Sequence, residues 1–251
     1  MAVNADLGGI ERVEVLRGPQ GTLFGKNTIA GAINIVTQKP GNELEGEVEV
    51  ELGNLDYSQV RASVNVPIID DVLAARLSLG TRRRDGYVTN LFNGDDYADI
   101  DQLTGRLLVS YTPSDATRVS LSVDALESDS LAQPVQFLTD TVPVGGVDVV
   151  VSDGPQSLNQ NRLRKDETRD LGLGLTIEHD LGDYTLTSVT SYRKTEADTQ
   201  DDFDRLPQAR QESLSDVSQR VVTQELRISS PADGWYDYVA GLYFFDQKND
   251  A

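Results

Sequence analysis

Apolar and polar side chains alternate with a period of two along most of the chain after residue 46. Residues 47–52 read Glu-Val-Glu-Val-Glu-Leu, and the same alternation recurs at 59–66, 73–80 and 118–125. A period of two places successive side chains on opposite faces of a β-strand. The pattern therefore predicts a mainly β protein whose strands each have one apolar and one polar face.

About nine strands can be placed from residue 46 to the end of the chain by this alternation. The alternation is weaker in the last three strands, so their two faces cannot be assigned from sequence. The predicted strands are 46–52, 59–66, 73–80, 101–111, 118–127, 167–179, 184–196, 218–229 and 235–246.

Short and long connections alternate between these strands, except after the first. The connections after the third, fifth and seventh strands are long, about 16, 39 and 21 residues, as the outer loops of transmembrane barrels are. The short connections are rich in Pro, Gly, Asp and Ser, as tight turns require. A soluble β-sandwich would also alternate, but it needs neither long loops at one end only nor strands of ten or more residues. The pattern favours a transmembrane antiparallel barrel.

Composition excludes several classes of protein. The 251 residues carry a net charge of −19 and contain no cysteine, which excludes disulfides and thiolate metal sites. We expect no nucleic-acid partner, because binding a polyanion requires clustered basic residues, and the one basic cluster, residues 82–84, is predicted at a strand end. The longest mostly apolar run, residues 238–245, is too short for a transmembrane helix of ~20 residues.

Residues 11–40, ERVEVLRGPQGTLFGKNTIAGAINIVTQKP, precede the predicted strands and form the most specific motif of the chain. A strand leads into a turn at residues 18–21, and a run of small residues at 30–32 leads into a second strand. A phosphate-binding loop would need Gly at position 20 and Ser or Thr at position 27, where the chain has Gln20 and Asn27. We therefore do not assign a nucleotide site.

The motif closely resembles the end of the plug domain of TonB-dependent outer-membrane receptors. The resemblance implies a small α/β plug, of which residues 1–42 are the C-terminal part, that fills a 22-stranded barrel. Residues 43–251 would be the N-terminal part of that barrel. The start of the chain lacks a signal-peptide pattern. We therefore expect an internal piece of a longer receptor, without the TonB box, the front of the plug and roughly a dozen C-terminal strands.

The family resemblance also implies a function in the bacterial outer membrane. Such receptors import a scarce nutrient, most often an iron–siderophore complex and sometimes cobalamin or a glycan, with energy relayed by the inner-membrane TonB complex. The expected partners are this complex, outer-membrane lipid and lipopolysaccharide, and a small ligand such as a ferric siderophore. No cofactor is expected. A passive porin-like channel and an outer-membrane hydrolase are the alternatives.

The candidate site residues lie in the plug motif. Its glycines are expected where the chain turns with positive φ or packs backbone to backbone against the barrel wall. The resemblance suggests that Arg17 pairs with a wall carboxylate such as Glu225, although a partly solvated Arg17 is equally compatible with the sequence. The motif residues are Arg17, Gly18, Pro19, Gly21, Gly25 and Gly31.

Other candidate sites are weaker. The acidic clusters 95–101 and 201–204 lack calcium-loop spacing, so we expect solvated loop charge and no metal site. Apolar patches at 135–138 and 147–151 indicate that the long loop 128–166 either covers the barrel mouth or packs on neighbouring loops. The single histidine, His179, ends a strand, and no Ser or Cys nucleophile accompanies it, so no enzyme is predicted.

Overall fold

A computed structural model gives the fold of this chain and describes residues 9–21, 28–131, 139–161, 165–231 and 236–250. The strands within them are β1 Ile10–Arg17, β2 Gly31–Thr37, β3 Glu45–Leu52, β4 Ser58–Ile69, β5 Leu73–Arg84, β6 Val88–Asn90, β7 Asp96–Tyr97, β8 Ile100–Ser114, β9 Thr117–Leu131, β10 Thr141–Val144, β11 Val147–Val150, β12 Ser157–Leu158, β13 Lys165–Leu181, β14 Tyr184–Asp202, β15 Glu212–Ser229 and β16 Val239–Asp250.

Nine strands form one antiparallel sheet in the order β3-β4-β5-β8-β9-β13-β14-β15-β16. Each long strand is hydrogen-bonded to the next long strand along the chain, which confirms the predicted succession of hairpins. The tight turns at 70–72, 115–116 and 182–183 were also predicted correctly. The longer connections 85–99, 132–164 and 203–211 all leave the opposite end of the sheet.

The predicted connection of about 21 residues after the seventh strand is wrong. β14 extends to Asp202 and β15 already begins at Glu212, so nine residues, 203–211, join them. The alternation fails to mark these strand ends because polar residues occupy both faces there. Lys194, Glu196 and Asp198 take the place of the apolar residues found on the same face nearer the turn.

One face of the sheet contacts the segment that precedes β3, and we call it the inner face. Asn65 bonds to Gly41 and Glu43 on this face, and an ideal Cβ on Gly9 would lie 3.5 Å from Nε of Arg76. Asn65 lies directly opposite Arg76 in the pairing of β4 with β5, and residues opposite each other share one face of a sheet. Following such pairs from strand to strand assigns the other residues of the inner face. Inner-face residues include Glu49, Arg61, Thr104, Arg106, Asp124, Asp170, Arg193 and Glu225.

The outer face is apolar along the middle of the strands. Its side chains are well exposed in the described structure, although they are among the most apolar in the sequence. They include Val50, Leu79, Leu103, Leu173, Leu226 and Leu242. An exposed apolar band across nine strands requires an apolar solvent, since soluble proteins rarely expose patches of this extent.

The last strands alternate less cleanly because polar residues interrupt the outer face. Thr190 donates a hydrogen bond to Gln224 at 2.6 Å, and Gln224 donates to Ser188 at 3.0 Å. These three residues satisfy one another across β14 and β15, which lowers the cost of placing them among apolar neighbours. The sheet pairing therefore assigns the faces that the sequence left open.

The apolar core is small and does not lie beneath the sheet. The buried apolar residues of the described chain are Ala74, Val88, Tyr97, Ala98, Val151, Leu158 and Leu206. Most of them belong to the long connections, whereas buried inner-face residues such as Gln59, Asn65 and Thr104 are polar. A β-sandwich buries the apolar faces of its sheets. This inverted pattern excludes the sandwich alternative.

A separate hairpin of β1 and β2 precedes the sheet, with Arg17 paired to Gly31. Asn34 and Arg12 both donate to the Glu14 carboxylate, at 2.9 and 2.7 Å, and these bonds lower the pKa of Glu14. The predicted domain boundary between residues 42 and 43 falls in the connection 38–44 and stays a prediction. No helix in the described part of the chain is long and apolar enough to cross a membrane.

The face assignment predicts opposite outcomes for two adjacent substitutions in β15 of the full-length protein. Val222→Arg places a charge on the outer face and should destabilise the folded protein in lipid by about 2 kcal/mol. Thr223→Arg places the same charge on the inner face and should cost much less. Urea titration in lipid vesicles, monitored by the shift of the folded band on unheated gels, measures both. An equal or larger loss for Thr223→Arg would contradict the assignment.

Candidate functional site

The plug motif forms the end of the first hairpin and the turn that follows it. Gly18 has φ +85°, as expected for a turn glycine. Gly31 approaches a neighbouring backbone closely, because a Cβ there would clash with the carbonyl oxygen of Leu16. That neighbour belongs to β1 of the same hairpin, and Gly31 has φ +149°, which agrees with the positive-φ alternative of the prediction. Packing of the motif glycines against the barrel wall stays a prediction. Pro19 and Gly21 are exposed beside the turn. Gly25 lies outside the described residues.

The predicted pair of Arg17 and Glu225 is not formed among the described residues. Arg17 is exposed at the end of β1. Glu225 lies on the inner face, as the prediction requires, but its carboxylate accepts a hydrogen bond from Arg227 on the same strand at 3.3 Å. The pairing with Arg17 stays a prediction.

A charged cluster on the inner face joins three strands near the middle of the sheet. The guanidinium of Arg193 on β14 donates to Asp124 on β9 at 2.9 Å and to Asp170 on β13. Asp170 also accepts a bond from Thr195 at 2.5 Å, and its side chain is only 1% exposed. A buried carboxylate is stable only when it is paired and hydrogen-bonded, and Asp170 is both. The cluster ties three strands together at one level.

Gly172 provides the space for this cluster. It lies opposite Arg193 in the pairing of β13 with β14 and opposite Asp124 in the pairing with β9. A Cβ on Gly172 would lie 2.7 Å from both Nη2 of Arg193 and Oδ1 of Asp124. The sequence alone does not reveal this cluster, because its residues are far apart in the chain and each is an ordinary polar member of an alternating strand.

The long connections at the other end of the sheet fold together. β12 of the second long connection, 132–164, pairs in parallel with β6 of the connection 85–99, and β6 pairs with β7. Val88, Tyr97 and Leu158 form a buried apolar cluster between them. The amide of Asn90, which is fully buried, donates to the carbonyl of Gln160 at 2.9 Å and accepts from its N–H at 3.1 Å. Two loops distant in sequence therefore form one packed unit.

The second predicted apolar patch of the long loop, residues 147–151, is mostly exposed. Val151 is buried, but Val147 and Val150 are exposed in β11, which forms a hairpin with β10 of the same loop. Both alternatives for this patch stay predictions. The first predicted patch, 135–138, lies outside the described residues.

The acidic clusters have mixed roles. Asp95 and Asp96 are exposed, as predicted. The prediction of solvated charge is wrong for Asp202, which is 1% exposed and accepts a hydrogen bond from the backbone N–H of Arg205 at 2.9 Å. Asp204 likewise accepts backbone N–H groups, including that of Gln211 at 2.6 Å. These carboxylates satisfy loop backbone donors, a use that charge spacing does not reveal.

Asp99 has a similar structural role beside the loop cluster. Its carboxylate accepts the backbone N–H of Leu131 at 2.5 Å, and Ala98 donates to the carbonyl of Leu131 at 2.8 Å. Burial raises the pKa of the Asp99 carboxyl, and the hydrogen bond from Leu131 opposes this increase. In the described part of the chain, no group of three or more metal-ligating side chains is close enough to hold a metal ion.

His179 has a local structural partner. Its Nδ1 lies 2.9 Å from Oγ1 of Thr117, across the pairing of β9 with β13. Thr117 is the first residue of β9 after a tight turn. A hydrolytic site would need a nucleophile oriented by this ring and a carboxylate behind it. The contact with Thr117 instead joins two strand ends.

Comparison with known proteins gives a consistent set of relatives. No protein-family model matches the chain. The chain is 35% identical over 107 residues to the pesticin receptor of Yersinia enterocolitica, and these residues make up 42% of this chain and 16% of that receptor. It is 34% identical over 113 residues to the ferrioxamine B receptor of Salmonella typhimurium, and these residues make up 45% of this chain and 15% of that receptor. The matched region thus spans less than a fifth of these relatives.

Solved structures match nearly the whole chain. The ferric yersiniabactin uptake receptor FyuA from Yersinia pestis superposes with a TM-score of 0.76 at 22% identity, covering 96% of this chain and 36% of that chain. The ferric-catecholate import receptor Fiu from E. coli K12 gives a TM-score of 0.72 at 18% identity, covering 96% and 40%. At these identities the likeness shows the fold, and it confirms the predicted partial antiparallel barrel preceded by a plug end.

The close fit at Gly172 predicts that Gly172→Ala will disturb the charged cluster. The added methyl group must displace the Arg193 guanidinium or the Asp124 carboxylate, and overpacking of this kind costs about 1–3 kcal/mol. The full-length protein should therefore lose its folded gel mobility at a lower temperature than the parent.

Gly105→Ala is the matched control for this substitution. Gly105 also lies in a central strand, but its Cβ would point to the outer face and meet only Cδ2 of Leu79, at an ordinary 3.4 Å. Equal shifts of the unfolding temperature for the two variants would contradict a special role of Gly172.

Proposed function

We propose that this chain, a homologue of TonB-dependent siderophore receptors of the bacterial outer membrane, is part of a receptor that imports a ferric siderophore. The observation that carries the proposal is the position of the chain before β3. Gly41 donates its N–H to Asn65 on the inner face at 3.0 Å, and Gly9 lies beside Arg76, where an ideal Cβ would be 3.5 Å from Nε. A segment held inside the wall can block a pore until it moves, and an open channel has no use for one.

The polarity of the inner face supports a moving plug. Side chains on this face bond to one another, as in the 2.7 Å contacts of Arg61 with Glu49 and of Arg82 with Gln102. These bonds lie within the wall, so the side chains do not need the plug as a partner, whereas separation of two apolar surfaces would cost free energy in proportion to their area. We infer that energy relayed by the TonB complex displaces the plug from this wall.

The outer face suits the other proposed partners. Its apolar band faces lipid chains, and charged residues such as Lys165, Arg169 and Lys194 lie beyond the band at the loop ends of the strands. Lysine and arginine side chains at the loop ends of the strands can contact the phosphates of lipopolysaccharide. Neighbouring carboxylates, including Glu127 at 3.3 Å from Arg169, moderate that attraction.

The alternatives have less support. A passive porin would not need a segment bound to its inner face. A surface hydrolase would need a nucleophile beside His179, whose ring contacts Thr117. The relatives are named as receptors, so we propose no catalytic activity. Among cargo classes, ferric siderophores are preferred over cobalamin and glycans because the relatives are named for siderophores and related ligands.

Import of a ferric siderophore should require both the full-length gene and TonB. We expect a deletion strain to take up at least tenfold less ⁵⁵Fe from its cognate complex under iron limitation, and a tonB deletion to give the same loss. A panel that includes ferric yersiniabactin and ferrioxamine B would identify the ligand. Uptake that persists without TonB would favour the passive channel, and normal uptake of every ferric complex in the deletion strain would refute the proposal.

We also propose that Arg17 and Glu225 form an ion pair in the complete receptor. Arg17→Glu and Glu225→Arg should each reduce siderophore uptake several-fold, and the double exchange should restore most of it, because the exchange preserves attraction between opposite charges. Uptake of labelled ferric siderophore by cells with equal receptor levels measures the effect.

Arg227→Gln is the control for this exchange. It removes the partner that Glu225 has in the described structure, at 3.3 Å, and leaves Arg17 and Glu225 intact. We expect little change in uptake. A loss that equals that of Glu225→Arg, or a double exchange that fails to restore uptake, would refute the pairing with Arg17.

A further inference from the structure

The connection between the first hairpin and the sheet, residues 38–44, has few contacts of its own. It contains no strand, and the side chains of residues 41–44 are exposed. A cavity of about 410 Å³ lies beside it, lined by Glu11, Lys39, Asn42, Glu45 and Arg76 among others. An exposed segment gains little from apolar burial, so directed hydrogen bonds must hold it in place.

Asn65 supplies these bonds. Its side-chain nitrogen donates to the carbonyl of Gly41 at 2.8 Å and to the carbonyl of Glu43 at 2.5 Å, and its oxygen accepts the N–H of Gly41 at 3.0 Å. The residue is 2% exposed and lies on the inner face of β4. A primary amide of this length offers two donors and one acceptor at the required positions, which no other small side chain does.

The surroundings of Asn65 fix its position. Arg76 lies directly opposite on β5, is itself buried, and has its guanidinium 3.4 Å from Oγ of Ser63 and 3.6 Å from Glu45. The connection has one further side-chain tie, the bond from Asn42 to Asp71 in the turn between β4 and β5. Both ties lead to the same hairpin, β4–β5.

We propose that Asn65 is the positioning residue that anchors the end of the plug to the barrel wall, so that movement of the plug during import stops at residues 41–43. The proposal rests on the proposed function for its role in import, while the anchor itself does not depend on it. If the plug is pulled from its N-terminal side, the chain extends up to the first residues that are held to the barrel wall. The three bonds of Asn65 provide that point before the first barrel strand, and they protect β3 from being pulled out of the sheet.

Site-directed spin labelling in the full-length receptor tests the anchor. This chain contains no cysteine, so once any cysteine elsewhere in the receptor is replaced by serine, Glu43→Cys provides a single labelling position in an exposed side chain of the anchored segment. With Asn65 intact, the spectrum should show an immobilised label. Asn65→Asp keeps the size but replaces two donors by a carboxylate facing two carbonyl groups, and Asn65→Ser removes one donor without adding charge. Both should convert the label to a mobile spectrum.

Asn90→Asp is the matched control. Asn90 makes the same type of clamp on a backbone segment, at Gln160, but at the opposite end of the sheet. It should leave the label at position 43 immobilised. A label that stays immobilised in both Asn65 variants, or becomes equally mobile in Asn90→Asp, would overturn the anchor.

Uptake kinetics test the role in import. Both Asn65 variants should lower the maximal rate of ferric siderophore uptake several-fold, with the half-saturating concentration unchanged, because Asn65 acts on the plug and not on the ligand. A mobile label with a normal maximal rate would overturn this role. If the parent receptor imports no ferric siderophore, the proposed function fails, and the spin-label result alone decides whether the anchor exists.

Discussion

Backbone hydrogen bonding in an apolar solvent is the constraint on which the rest of this structure depends. Lipid offers no partners for N–H and C=O groups, so a chain that crosses it as strands must pair every strand with a neighbour. The ladders from β3 to β16 meet this requirement for the described strands, apart from the two outermost edges. The same solvent reverses the usual distribution of side chains. Leucines and valines of the outer face are exposed, and the buried residues of the sheet are largely polar.

The reversal leaves the inner face with charges that must be paired within the wall. Arg193 joins Asp124 and Asp170 across three strands, and Gly172 leaves room for the group. Interactions of this kind stabilise the wall without the apolar packing that would bind a plug permanently. Under the proposed function, the inner face can therefore hold a plug by a few directed contacts and release most of it. Asn65 differs because its three bonds all go to the backbone of one short segment, which suits a fixed attachment.

The long connections differ from the sheet in their buried residues, because they lie in water and bury a small apolar core. Tyr97 and Leu158 are buried there, and Asn90 and Asp202 satisfy backbone groups of neighbouring segments. Under the proposed function, loops organised in this way would present a pre-formed surface to a ligand, which would reduce the entropy lost on binding.

The sequence by itself determined the succession of strands and turns, because a period of two and the chemistry of tight turns are local properties. It also predicted the turn at residues 18–21 of the motif 11–40, where Gly18 adopts the positive φ that the turn requires. Only the tertiary structure decided which side chains meet. The strand ends at Asp202 and Glu212, the burial of Asp202 and the clamp of Asn65 depend on sheet register and on loops that come together over long separations. A polar residue in an alternating strand has the same local pattern whether it faces water, an ion pair or a backbone segment. Its role is set by its neighbours in space, which a periodic sequence does not specify.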